Sequence, residues 1–215
     1  MIAASSPIDI RPLRRNELPA DTVALARFLI GKVVVRELPN ARLSGRIVET
    51  EAYPRGDPAA HHYIGPTPRN RSMYLRRGHA YVYFSYGNHF MLNVSAEIEG
   101  VGGGVLIRAL EPVEGTNQMK LNRQTSEIKD LTRGPGRLAR ALQIDRSLDG
   151  VDLCASGPLW LGVPAAAQDL RVARGSDLPR IRKSPRIGIS RAAHRLLRFY
   201  EPGNPFVSGP ARLRS

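Results

Sequence analysis

YVYFSYGNHFMLNVSAEIEGVGGGVLIRAL, residues 81–110, decides the fold class. Tyr81 to Tyr86 alternates as a strand does and ends at Gly87. Met91 to Ser95 and Val105 to Leu110 read as two more strands, with Gly102-Gly103-Gly104 between them as a flexible turn. Strands that follow one another without an intervening helix pair antiparallel, which argues against a doubly wound dinucleotide fold. Upstream, Asp21 caps a short helix with Leu25, Phe28 and Leu29 on one stripe and Gly31 at its end. Val33 to Val35 begins a strand, Pro39-Asn40 turns the chain, and a second strand runs around Arg46 to Thr50. Downstream, helices are expected at about 113–121, after Pro112, and at about 137–143. Short strands then follow Asp149-Gly150, including Leu159 to Leu161 and Arg186 to Ser190. No repeat or linker divides the chain. It therefore reads as one α+β domain over 18–210, with a flexible leader at 1–17 and a tail at 211–215.

The 215 residues carry 32 Lys+Arg against 19 Asp+Glu, a formal net charge of +13. With 42% hydrophobic residues the chain has enough apolar material for a core, and it does not have the composition of a disordered segment. A field of that sign attracts polyanions. Its most apolar stretch, Val23 to Val35, is interrupted by Arg27 and Lys32, so a bilayer-spanning helix is not expected. The N-terminus lacks the basic start and apolar run of a secretory signal. Cys154 is the only cysteine, which rules out an internal disulfide and a cysteine zinc cage and favours a reducing, cytoplasmic setting. Nucleic acid is the partner that remains. Residues 171–215 hold ten Arg and Lys183 against only Asp177 and Glu201, and this one-signed excess reads as a phosphate-binding face.

The chemistry concentrates in the first half. Alternation puts Glu49, Glu51 and Tyr53 on one face of a strand. His61 follows, with His62 as the alternative at the same place, and then Thr67-Pro68-Arg69-Asn70-Arg71, whose two arginines suit phosphates. The tyrosines of 81–86 are suited to stacking on unpaired bases. Asn93 and Arg108 sit inside apolar strands, and a buried arginine needs a polar cavity or an acid; Glu51 is a candidate partner. A carboxylate beside an arginine stays ionised near neutral pH, as a base that activates water must. Five His without a His-Glu-x-x-His pattern argue against a metal site. Neither a Gly-x-Ser-x-Gly elbow nor a Gly-Lys-Ser/Thr phosphate loop occurs.

These segments together resemble the alkyladenine (3-methyladenine) DNA glycosylase family. The likeness rests on Gly45 to Tyr53, Thr67 to Arg71, Tyr81-Val82-Tyr83 with Tyr86-Gly87, and Leu106 to Pro112. Weaker echoes lie at Gly134 to Leu138 and Leu197 to Tyr200, so the likeness is collinear over about 20–208. It implies a curved sheet flanked by helices, like the C-terminal domain of formyltransferases. It implies an enzyme that flips damaged purines out of duplex DNA and hydrolyses the N-glycosidic bond without cofactor, metal or lyase activity. The resemblance makes Glu51 the general base, with Arg108 and the Ile187 backbone holding the water. Tyr53, His61, Tyr83, Asn93 and Leu106 would form the base pocket, Asn93 disfavouring guanine. Tyr86 would intercalate, flanked in the minor groove by Asn88 and His89, while Arg69, Arg71 and Arg137 would contact phosphates. The expected partner is duplex DNA, met as a monomer, in the cytoplasm or nucleoid, and not a membrane.

Overall fold

The computed structural model describes residues 9–85, 87–164 and 181–210. Among them, nine strands join in one sheet whose pairings all run antiparallel. The strands are β1 (Ile10–Pro12), β2 (Val33–Leu38), β3 (Ala41–Tyr53), β4 (Ala80–Ser85), β5 (His89–Ser95), β6 (Gly104–Glu114), β7 (Leu159–Pro164), β8 (Arg182–Ser184) and β9 (Arg198–Tyr200). Their order is β1-β7-β2-β3-β6-β5-β4, with β9 beside β3 and β8 beside β9. Three α-helices flank the sheet: α1 (Thr22–Leu29), α2 (Thr116–Arg123) and α3 (Pro135–Ala141). Asp21 caps α1 as expected, its side chain accepting from the Ala24 N–H at 2.7 Å.

The long strand β3 organises the molecule. On one side it pairs with β6; on the other it pairs with β2 over Ala41–Arg46 and then with β9 over Glu49–Glu51. Two register shifts frame Glu49: the ladder passes from Ile47–Leu110 to Glu49–Ala109 and then to Thr50–Ile107. Val48 and Arg108 are the residues skipped. Such bulges break strict alternation and increase twist. Ile47, Ala52, Ile107 and Leu110 consequently join the main core, while Val48 and Ala109 join a smaller cluster with Tyr200, Phe206 and Val207. Thr50 marks the helix side, its hydroxyl donating to the Ala26 carbonyl of α1 at 2.8 Å.

Several expectations need correction. Ile10–Pro12, within the stretch read as a leader, pairs with β7, and Leu13 is buried. The folded domain thus starts ahead of residue 18. Pro112 does not open a helix; it lies inside β6 opposite Gly45, and α2 starts at Thr116. There β6 has only β3 beside it, because β5 pairs no further than Leu106, so the missing N–H faces no neighbouring strand. Gly102 to Gly104 form a packed crossing and not a flexible turn. A Cβ at these positions would come within 2.7 Å of His62, 2.6 Å of Glu97 and 2.8 Å of Met73 respectively. The expected strand at Arg186 to Ser190 is irregular chain, the strand lying earlier at Arg182–Ser184.

Candidate active site

One cross-strand row assembles the site. Register places Tyr81 beside Asn93, Asn93 beside Leu106, Leu106 beside Glu51, and Glu51 beside Arg198, across β4, β5, β6, β3 and β9. Paired residues in neighbouring strands share a face. Four of these five are polar, and Tyr81, Asn93, Leu106, Glu51 and Arg198 are all buried. A buried carboxylate and guanidinium in a sheet interior demand partners.

Those partners form a chain of alternating charge. Arg198 Nε donates to Glu49 Oε1 at 2.6 Å, and Arg108 Nε donates to the same oxygen at 3.1 Å. Arg108 Nη1 lies 3.2 Å from Glu51 Oε1. Glu49 also accepts from the Ser208 N–H at 2.6 Å. Burial alone would raise its carboxyl pKa, but Arg108 and Arg198 outweigh that and hold it below the usual range. Glu51 receives two further donors, the Ile187 N–H to Oε1 at 2.7 Å and the Tyr53 hydroxyl to Oε2 at 2.9 Å. Burial and then the neighbouring Glu51 charge push the Tyr53 phenol pKa upward, so Tyr53 keeps its proton. The Ile187 backbone thus meets the carboxylate itself, where the sequence led to a water contact.

In front of this chain lies a cleft of ≈ 440 Å³. Tyr53, His61, Tyr83, Asn93, Leu106, Arg108 and Ile187, all expected at the site, line it. Glu51 is fully buried and does not itself line the cleft, but its partners Tyr53, Arg108 and Ile187 do. Tyr81 and Tyr83 stack with their ring centres 5.3 Å apart, and His61 meets Tyr83 edge-on at 4.4 Å. His61 Nδ1 is 3.0 Å from the Tyr81 hydroxyl. Burial first, then Arg69 and His62, lower the His61 pKa, which favours a neutral ring. His62 turns away: its Nε2 donates to the Pro54 carbonyl at 3.1 Å, and it borders a separate hollow. Of the two histidines, the cleft takes His61. Asn70 anchors that turn by donating to the carbonyls of His61 and Gly65 at 2.9 and 3.0 Å. The Asn93 side-chain amide donates to the Tyr81 carbonyl at 3.2 Å.

Of the other expected residues, Tyr86 lies outside the described ones. Asn88 is exposed, whereas the His89 ring rests on α3, close enough that a Cβ on Gly136 would come within 2.7 Å of it. Arg69 turns back toward β4, donating to the Phe84 carbonyl at 3.0 Å with its guanidinium 5.9 Å from the Tyr83 ring centre. Arg71 is exposed, and Arg137 is exposed and paired with Asp130 at 2.7 Å. The basic segment 171–215 lies partly outside the described residues. Within them, Arg186 and Arg198 are buried, which removes both from any phosphate-binding face.

Sequence reasoning missed Arg198 and Glu49 as a pair, and also Asp57. Asp57 accepts from Arg186 Nη1 at 2.5 Å and Nη2 at 3.1 Å. The signal was the type of residue, a lone acid in the Pro54–Ala60 loop, but its partner is more than a hundred positions away. Among the described residues no group of three or more His, Cys, Asp and Glu is arranged to hold a metal ion. No helix among them is long and apolar enough to cross a membrane.

Comparison with known proteins adds an independent line. Residues 16–205 match the methylpurine-DNA glycosylase family. A protein of Mesorhizobium japonicum is 58% identical over 207 residues, covering 96% of this chain and 94% of the relative. One of Paraburkholderia phytofirmans is 51% identical over 206 residues, covering 96% and 92%. One of Methanoculleus marisnigri is 45% identical over 188 residues, covering 87% and 94%. All three are named 3-methyladenine DNA glycosylase.

Proposed function

The chain belongs to the methylpurine-DNA glycosylase family, and from that premise we propose that it releases alkylated purines from duplex DNA by flipping the nucleotide and hydrolysing its N-glycosidic bond with water. It is a DNA repair hydrolase of N-glycosyl bonds. The sugar carbon cannot be reached inside a stacked duplex, so extrusion into the cleft precedes chemistry. The base stacks on Tyr53 and Tyr83 beside His61, and Leu106 forms part of the floor. Asn93 disfavours the exocyclic amine of guanine, and Tyr86 fills the gap in the duplex. Asn88 and His89 flank that wedge. Arg71 and Arg137 hold phosphates, Arg137 by exchanging Asp130, and Arg69 contributes charge from beside Tyr83.

The observation that carries this reading is the buried Glu51, held by Arg108, Tyr53 and Ile187, which line the cleft. Oε1 already takes two donors, whereas Oε2 takes the Tyr53 hydroxyl and keeps a lone pair for the water proton. As the glycosidic bond breaks, positive charge develops on the sugar, and an ionised carboxylate beneath it stabilises that charge. Water is the nucleophile, so the product is an abasic site and the strand is not nicked. The enzyme works as a monomer, in the cytoplasm with the nucleoid. The bulges of β3 support a curved sheet akin to the formyltransferase C-terminal domain.

Base-release analysis on duplexes that each carry one defined lesion tests the assignment. Glu51→Gln should bind lesion-bearing duplex as the parent does while base release falls by at least about 10²-fold. Full release by the variant would overturn Glu51 as the base.

A further inference from the structure

We propose that the ion pair Asp57–Arg186 is a latch that joins two stretches of the cleft wall and positions Tyr53 and the Ile187 N–H on Glu51; the proposal rests on Glu51 acting as the base. Arg186, together with the residue after it, reaches three consecutive positions at the end of β3. Its Nη1 donates to the Ala52 carbonyl at 3.0 Å, its guanidinium covers the Tyr53 ring at 4.6 Å, and the next residue, Ile187, donates to Glu51. Its other contact is the two-pronged bond to Asp57. Asp57 belongs to the loop that contributes Pro58 and Ala59 to the wall of the cleft, and Ile187 to Arg191 form a second stretch of that wall. One ion pair therefore fixes both stretches, the orientation of one aromatic ring and one donor to the base.

Stability alone is a poor reason for such a pair. Both side chains are fully buried, and the desolvation of two charges largely cancels their attraction, so apolar residues of similar volume would hold the two stretches as well. Arg186 Nε is, moreover, buried without an acceptor among the described residues. What an apolar pair cannot reproduce is the fixed geometry of a fork meeting a carboxylate. A displacement of about 1 Å at a reacting centre can cost about 10²-fold in rate.

Single-turnover base release at saturating enzyme, on a duplex with one defined lesion, tests the latch. At saturation the rate constant does not depend on the folded fraction, which changes only the enzyme concentration needed to saturate. Asp57→Asn and Arg186→Lys should each lower the rate constant roughly 10- to 100-fold, with affinity for undamaged duplex within about twofold of the parent. The double variant should be no slower than the slower single, because both break one device. Should the single variants fail to fold, Asp57→Leu combined with Arg186→Met removes both buried charges and leaves without its carboxylate only Arg195, which is partly exposed, so it should fold and be equally slow. A folded variant with the parent rate constant overturns the latch, while an inactive Glu51→Gln measured beside it leaves the base assignment standing. A parent chain that releases no base overturns the reading beneath the latch, and the latch with it.

Discussion

Tyr53 contributes one of the three donors that surround Glu51, and its ring faces the cleft at the same time. The two roles separate in Tyr53→Phe. A hydrogen bond to a charged group contributes about 1.5–3 kcal/mol, so single-turnover release should slow roughly 10- to 100-fold while affinity for lesion-bearing duplex is retained. An unchanged rate would show that the hydroxyl is dispensable. At this scale the sequence was most informative. A buried arginine needs a polar cavity or an acid, and that argument made Glu51 a candidate partner of Arg108, which it contacts in the structure. It stopped short of Glu49, which takes Arg108 Nε as well as Arg198, because nothing local in a sequence shows which of two nearby carboxylates a guanidinium prefers.

Among the elements, β3 carries the most consequence, since its end is held by charge as much as by its ladder. Glu49→Gln leaves Arg108 and Arg198 facing a neutral amide, and breaking a buried pair costs about 3–5 kcal/mol. For a chain of this length the thermal midpoint should fall by roughly 6–20 °C. Calorimetry at neutral pH checks this, and a shift of a degree or less would refute it. The acid branch follows from the same residue. Because the folded carboxyl is held below its ordinary value, its contribution is complete above the unfolded pKa and disappears as pH falls through the lower, folded one. The variant should therefore lose less stability than the parent in that acidic window. Alternation made β4, β5 and β6 legible, and a polar cap made α1 legible. Pro112 and the glycines at 102–104 were misread because their meaning lies in neighbours from elsewhere in the chain: β5 ending at Leu106, and His62, Glu97 and Met73 pressing close.

Over the whole molecule, the count of 32 Lys+Arg, unlike the net charge of +13, overstates what DNA meets. Arg46 is buried against Glu111 and Glu201, Arg108 and Arg198 against Glu49, and Arg186 against Asp57. Composition cannot tell such inward arginines from outward ones, because each pair spans at least 59 positions of sequence. Exposed Arg71 is of the other kind. Arg71→Ala should weaken binding to damaged and undamaged duplex alike and reduce the logarithmic salt slope by about 0.9. A lesion-dependent loss in a salt titration would contradict a phosphate role.

The exchange of partners along β3, from β2 to β9, also sets an order of events during synthesis. β2 through β6 can pair as soon as they leave the ribosome. The carboxylates at 49 and 51 must then wait for Ile187, Arg198 and Ser208 to emerge, more than a hundred residues later. At about 5–20 residues per second, the nascent chain spends several seconds with two acids that lack some of their partners. During that interval it can pair β2 to β6 but lacks the Ile187 donor and Arg198, so with Glu51 as the base an unfinished chain is expected to release no bases.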